Sequence, residues 1–262
     1  MNDLELAVAA AAVGAELVHA GFGAHQDVEQ KGRLDPVTEI DRASERAIVA
    51  AITEHRPDDG ILGEEGASRA STGRRWLIDP LDGTVNFVHG IPQVAVSVAL
   101  YDGDRPLVGV VHDPMRHEVF AAAAGAGATL NGAPLRVSTT TELHRTVIVT
   151  GFPYDHDRHA GAYAEPFIAV LARVNGIRRL GSAALDFAWV AAGRFDGYWE
   201  YSLGAWDMAA GALLVREAGG TVTDIGGRPF TPSSPHVVAT NGWLHDKLIG
   251  LVRPVLPRHL EP

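Results

Sequence analysis

The stretch WLIDPLDGTVNF, Trp76 to Phe87, decides how the chain is read. The run Arg74 to Ile78 has the composition of a strand, and it delivers two aspartates, Asp79 and Asp82, each followed by a turn-forming residue, Pro80 and Gly83. Asp at the first and fourth positions of a loop can aim two carboxylates at one point. Pro80 stiffens that loop, and Gly83 allows a backbone conformation that other residues resist. Clustered carboxylates repel, so one has its pKa raised unless a cation joins them. Ligands that are all oxygen favour a hard cation such as Mg2+ over zinc or copper. Thr84 stands where a helix can begin. The free N–H groups of Gly83 and Thr84 would then form an anion site beside the cations, fit for a phosphate.

Working outward, three further carboxylates lie at the end of an apolar run or at a helix start: Asp41, Glu64 and Asp207. Singly, each has a plain structural reading. Asp41 follows Thr38 by three and can close a capping box. Asp207 sits in a first helical turn, where the macrodipole favours negative charge. Glu64 fits a solvated loop, and Asp79-Pro80 and Asp82-Gly83 are ordinary turn dipeptides. Taken together, it is the spacing of Asp79 and Asp82 in the opening stretch that shifts the reading towards a metal-dependent phosphate site.

The rest of the chain supplies a frame for that site. The 262 residues suit one large domain or two smaller ones, and 46% hydrophobic content with mean hydropathy +0.03 provides a core. A formal net charge of -10 argues against a general nucleic-acid binder, whose footprint is basic. With no cysteines there is neither a disulfide nor a thiolate zinc site. The N-terminal stretch is Ala-rich, lacks a basic leader and carries Asp3, Glu5 and Glu16, so it reads as an amphipathic helix. No uncharged run approaches the ~20 residues of a membrane span. These features predict a soluble, cytoplasmic protein with no membrane partner.

Helices are predicted over residues 3–22, 38–55, 158–174, 183–192, 206–218 and 243–252. Strands are predicted at 74–78, 93–100, 107–112, 118–122, 146–150, 177–180 and 195–200, with others near Ile61, Thr221 and Val237. Asn131-Gly132 signals a hairpin and accounts for the Gly-rich stretch around it. The first half, to about residue 142, groups its strands, while the second, from about 143, alternates strand and helix. The expectation is a layered α/β architecture with mixed sheets, in which the two halves share one continuous structure over 1–262.

The run DPVTEID, Gly63-Glu64-Glu65, WLIDPLDGTVNF and EYSLGAWDMAAGALLVREAGG (200–220) together resemble the inositol monophosphatase family in order and separation, over nearly the whole chain. GSAALDFAWVAAGRFDGYWE (181–200) is similar to its bacterial members. The resemblance implies an α-β-α-β-α five-layer sandwich and Mg2+-dependent hydrolysis of phosphate monoesters by a metal-activated water. It implies that Glu64, Asp79 and the Leu81 carbonyl hold a first ion, that Asp79, Asp82 and Asp207 hold a second, and that a weaker third lies near Glu64. Asp41 and Thr84 would polarise the water, Gly83 and Thr84 would hold phosphate, and Asp82 and Glu200 would face the alcohol's hydroxyls. A homodimer and inhibition by Li+ are further family traits. Gly66 stands where the family often has Ser, and Lys31 to Leu34 would form a flap over the third ion.

Inositol 1-phosphate is the first substrate expectation and histidinol phosphate the alternative, with Asp186 as the acid that a cationic alcohol would need. A non-catalytic regulatory role is the third reading, since bacterial relatives associate with transcription machinery. His156 and His159 read as a polar loop opening a helix, with metal binding the lesser option and a place near the substrate entrance another. Trp189, Trp199 and Trp206 read as core or interface residues. Arg178 and Arg179 read as a solvated strand end or dimer contact, with contact to substrate phosphate the lesser option.

Overall fold

The computed structural model describes residues 1–25, 27–71, 73–256 and 260. Two helices open the fold, α1 (Asp3–Gly21) and α2 (Glu39–His55), and each starts on a capping box, Asn2 with Glu5 and Thr38 with Asp41. Between them lies an antiparallel hairpin of β1 (Val28–Gly32) and β2 (Asp35–Thr38). The sequence reading had only a break at Asp35-Pro36. Every β1 residue is exposed, so the strand lacks the apolar alternation that would reveal it.

The first sheet has eight strands in the order β10-β9-β8-β7-β6-β5-β3-β4. They are β3 (Gly60–Gly63), β4 (Ser68–Arg69), β5 (Arg74–Asp82), β6 (Ala95–Asp102), β7 (Arg105–Asp113), β8 (Glu118–Ala123), β9 (Gly127–Leu130) and β10 (Ala133–Pro134). The expected hairpin at Asn131-Gly132 joins β9 and β10, and both turn residues take positive φ. The five-residue α3 (Thr84–Val88) follows β5. The second sheet has five strands in the order β12-β11-β13-β15-β14. They are β11 (Val147–Thr150), β12 (Gly176–Arg178), β13 (Gly197–Tyr201), β14 (Thr221–Thr223) and β15 (His236–Thr240). Its helices are α4 (His156–Leu171), α5 (Ala183–Ala191), α6 (Ala205–Glu217) and α7 (His245–Val252).

Strand alternation sorts the side chains into three cores. Trp76 and Ile78 face α1 and α2, where Leu6, Ile48 and Ile52 are buried. Leu77, between them on β5, faces the opposite way, into a core shared with α5, α6 and the near face of the second sheet. Trp199 and Tyr201 point to the far side of β13, against Tyr163 of α4 and Leu248 of α7. The layers therefore run α-β-α-β-α, as the resemblance implies. By length and composition α1 could cross a membrane, but Leu6, Ala7, Ala10, Ala11 and Val18 are buried against α2 and the first sheet. At about 1.5–3 kcal/mol for each large aliphatic side chain removed from water, that face holds the helix down.

One boundary differs in a way that matters for the site. Asp79-Pro80 is not a turn, because β5 continues to Asp82, and its register against β6 shifts between Asp79 and Asp82. Proline has no N–H to give to the ladder, which explains the interruption in an interior strand.

Candidate active site

The interruption in β5 leaves backbone carbonyls unspent, and neighbouring hydroxyls take them up. Ser44 of α2 donates to the Pro80 carbonyl at 2.8 Å, and Thr84 Oγ1 lies 3.1 Å from the Leu81 carbonyl. Asp79 turns its carboxylate back on the chain and accepts from the Leu81 N–H at 3.1 Å. The chain then reverses at Gly83, whose φ of 94° lies in the left-handed region. A Cβ there would also stand 2.8 Å from the Gln93 carbonyl, so glycine is required twice over.

Glu64, just beyond β3, and Asp207, in the first turn of α6, meet Asp79 from two other directions. One carboxylate oxygen of each lies within 4.8 Å of the others. Burial raises all three pKa values; repulsion from neighbouring carboxylates adds to it at Asp79 and Asp207, while Lys31 opposes the rise at Glu64. Glu64 is pushed up to about 7, and Asp79 and Asp207 go well above the usual carboxylate range. The nearest cation is Lys31 of β1, whose ammonium is 2.7 Å from Glu64 Oε1 and 2.8 Å from Glu65 Oε1. Lys31 is the residue that the resemblance placed in a flap, and here it lies on the hairpin with its charge spent on the carboxylates below.

Asp41 and Thr84 form a buried pair. Thr84 Oγ1 donates to Asp41 Oδ1 at 2.9 Å, while Asp41 Oδ2 accepts from the Thr38 N–H at 2.9 Å and from Thr38 Oγ1 at 2.5 Å. The capping reading of Asp41 holds through Oδ2, which leaves Oδ1 to accept from Thr84. Burial raises the Asp41 pKa, and these hydrogen bonds oppose the rise.

Asp82 lies outside the group of three. Its carboxylate accepts from Ser182 Oγ at 2.6 Å and from the N–H groups of Ala183 and Ala184 at 3.2 and 2.7 Å. A carboxylate from the first half thus caps α5 of the second. Burial pushes Asp82 up to about 6 against those bonds. Glu200, on β13, is also buried, is pushed up to about 7 by that burial, and accepts from the Tyr198 hydroxyl at 2.5 Å.

Glu64, Asp79, Leu81, Asp82, Gly83, Thr84, Glu200 and Asp207 all line one cavity of about 550 Å³. Asp41 reaches it through Thr84. Sequence reasoning missed Ser182 and Tyr198, the partners of Asp82 and Glu200. The structure separates the lesser candidates. Arg179, Trp206 and His156 line the cavity, while Arg178 folds onto its own strand end at the Ile177 carbonyl. Trp199 is core, and Trp189 lies against the guanidinium groups of Arg116 and Arg194. Asp186 is buried in α5 and does not line the cavity.

The profile of the inositol monophosphatase family matches residues 2–256. Nus factor SuhB of Pseudomonas aeruginosa is 45% identical over 89% of this chain and 89% of its own. The inositol-1-monophosphatase of Synechocystis sp. is 45% identical over 94% of this chain and 86% of its own. Among solved structures, the extragenic suppressor protein suhB from Bartonella henselae superposes with a TM-score of 0.91 at 41% identity, covering 94% of this chain and 96% of that one.

Proposed function

The chain belongs to the inositol monophosphatase family, and on that premise we propose that it is a Mg2+-dependent phosphomonoesterase acting on inositol 1-phosphate or a similar polyol phosphate. The observation that carries this reading is one cavity with clustered carboxylates at one end, the Asp41–Thr84 pair beside them, and Glu200 facing the same space.

The donor set fits the ions. Glu64, Asp79 and Asp207 are close, Asp79 buried and the other two half-buried, and they offer oxygen alone, which suits a hard divalent cation. Glu64, Asp79 and the Leu81 carbonyl would hold one ion. Asp79, Asp82 and Asp207 would hold a second, and a third would sit near Glu64. Asp82 has spent three of its roughly four lone-pair positions on α5, which leaves one for an ion. When bound, the ions supply Lewis acidity that lowers the pKa of water and neutralises phosphate charge.

The chain's own residues do the positioning, which is most of the work in phosphoryl transfer. With its O–H hydrogen-bonded to Asp41, Thr84 Oγ1 can accept a hydrogen bond from a water and turn that water's lone pair towards phosphorus. Asp41, its pKa raised by burial, is suited to take up the proton released. The N–H groups of Gly83 and Thr84 would hold the phosphate oxygens, and Glu200 and Asp82 would face the alcohol. Glu64, Asp79 and Asp82 come from the first half and Glu200 and Asp207 from the second, so the two halves act as one unit.

Histidinol phosphate is the lesser reading, because Asp186 does not reach the cavity where a cationic amine would need it. A non-catalytic role finds support only in the name of the Nus factor SuhB relative, and the acidic set here is complete. A cytoplasmic homodimer sensitive to Li+, with no nucleic-acid or membrane partner, completes the proposal. Phosphate release from inositol 1-phosphate, histidinol phosphate and fructose 1,6-bisphosphate, with and without Mg2+, tests it. A Mg2+-dependent preference for the inositol ester is expected. A preference for histidinol phosphate would replace the substrate, and no turnover of any ester would sink the enzymatic reading.

A further inference from the structure

Glu200 is held more tightly than a pocket carboxylate needs to be, and the manner of its holding has a consequence for specificity. It shares a strand face with Tyr198, two residues earlier on β13. Tyr198 is fully buried, and its ring packs edge-on against Phe187 of α5, with centroids 4.8 Å apart at 73°. That packing fixes the hydroxyl, which donates to Glu200 Oε2 at 2.5 Å.

On the other side lies Gly151, the residue after β11, in the strand that pairs in parallel with β13. A Cβ at Gly151 would stand 1.9 Å from Glu200 Oε1 and 2.1 Å from its Cδ. The carboxylate therefore fills the space that any side chain at 151 would occupy. Burial and the neighbouring Glu200 raise the Asp186 pKa well above the usual carboxylate range, and among the described residues its Oδ1 is buried without a partner, while Arg179 is the cation whose charge acts on Glu200. Among the described residues, the Tyr198 hydroxyl is the single hydrogen-bond donor to Glu200.

We propose that Tyr198 and Gly151 are positioning residues that lock the Glu200 carboxylate in one orientation, so that the cavity selects phosphate esters whose alcohol presents a hydroxyl to it. The proposal rests on the phosphatase reading above and deepens it. A group locked in this way accepts a hydroxyl without first losing rotamer freedom. It also rejects an alcohol without a hydroxyl, because Glu200 Oε1 is then left buried without a donor while Tyr198 holds only Oε2. Binding lost in this way is lost equally from ground and transition states, so it is read in KM rather than kcat.

The test compares Tyr198→Phe and Gly151→Ala with the wild type in Mg2+, using inositol 1-phosphate and phenyl phosphate, an ester whose alcohol carries no further hydroxyl. Both variants are expected to raise KM for the inositol ester by about tenfold, the worth of one charge-assisted hydrogen bond, and to leave phenyl phosphate within about twofold. An equal loss on both esters, or no loss on either, overturns the proposal. Crystal structures of the variants decide the positioning apart from turnover. In Tyr198→Phe, Glu200 is expected to spread over several rotamers, and in Gly151→Ala its carboxylate is expected outside the slot. An unchanged Glu200 in both overturns the proposal even if the wild type is an active phosphatase. A wild type that hydrolyses neither ester counts against the phosphatase reading instead, while the structures still judge the positioning.

Discussion

The cavity has two acidic ends that differ in how their charge is met. At one end, Glu64, Asp79 and Asp207 face one another, and the few donors near them are the Leu81 and Gly204 N–H groups and the Lys31 ammonium. At the other, Asp82 has three donors from the start of α5, and Glu200 has a phenol and a fitted slot. The first end is unfinished as protein and calls for a cation. The second is more nearly satisfied by protein, with one position of Asp82 left over and Glu200 held in one orientation. Carboxylates look alike by charge, and it is the number of protein donors around each that sets how much of it is left for an ion or a substrate hydroxyl.

Neutralising a member of the unfinished end is the hardest test of this contrast. Asp79→Asn is expected to lower kcat/KM by about a thousandfold through loss of the ion while raising the melting temperature of the metal-free protein, because repulsion is relieved. A drop in that melting temperature would mean that Asp79 is stabilised by protein donors after all. Thr84→Val should lower kcat by about a hundredfold and leave the Mg2+ half-saturation point near wild type, as measured by metal titration of the rate. A large shift in that point would move Thr84 from the water to the metal.

The same contrast has a pH signature. In the metal-free protein Glu64 and Glu200 titrate at about 7, against 4.5 as the ordinary value. Raised carboxylates mean that the folded state holds more protons than the unfolded one between those two pH values. Their stabilising contribution is therefore complete below about 4.5 and disappears as pH passes 7. Urea denaturation without metal should show stability falling over that interval, and Mg2+ should restore more stability at pH 8 than at pH 5. A flat profile without metal would contradict the burial argument. The smallest effect is expected at Lys31. Its side chain is partly exposed, so the pairing with Glu64 is weak, and Lys31→Met should lower the Mg2+ half-saturation point by about threefold because a competing charge is gone. A rise would show Lys31 assisting metal binding.

The layered architecture and the acidic residues were legible in the sequence because both are local patterns. Strand alternation, capping boxes and the spacing of Asp79 and Asp82 survive in a one-dimensional reading. The hairpin of β1 and β2 did not show, since Val28–Gly32 has no buried face. The partners of Asp82 and Glu200 did not show either. Ser182 lies 100 residues from Asp82, and Gly151 acts by having no side chain. Arg178 and Arg179 are adjacent in sequence but part company, one on the strand end and one in the cavity.

Pro80 has a consequence of another kind. Because the interruption in β5 is pinned by Ser44 through the Pro80 carbonyl, the separation of Asp79 from Asp82 is set by the main chain and by where α2 lies. A gauge built into a peptide is indifferent to rotamer changes around it. It does respond to the angle at which α2 sits on the sheet, and that angle is governed in part by how closely α1 approaches. Gly14 permits that approach, since a Cβ there would collide at 2.7 Å with both Ser44 Oγ and Ile48 Cδ1. The calibration of the acidic end therefore extends outward to a glycine on the first helix.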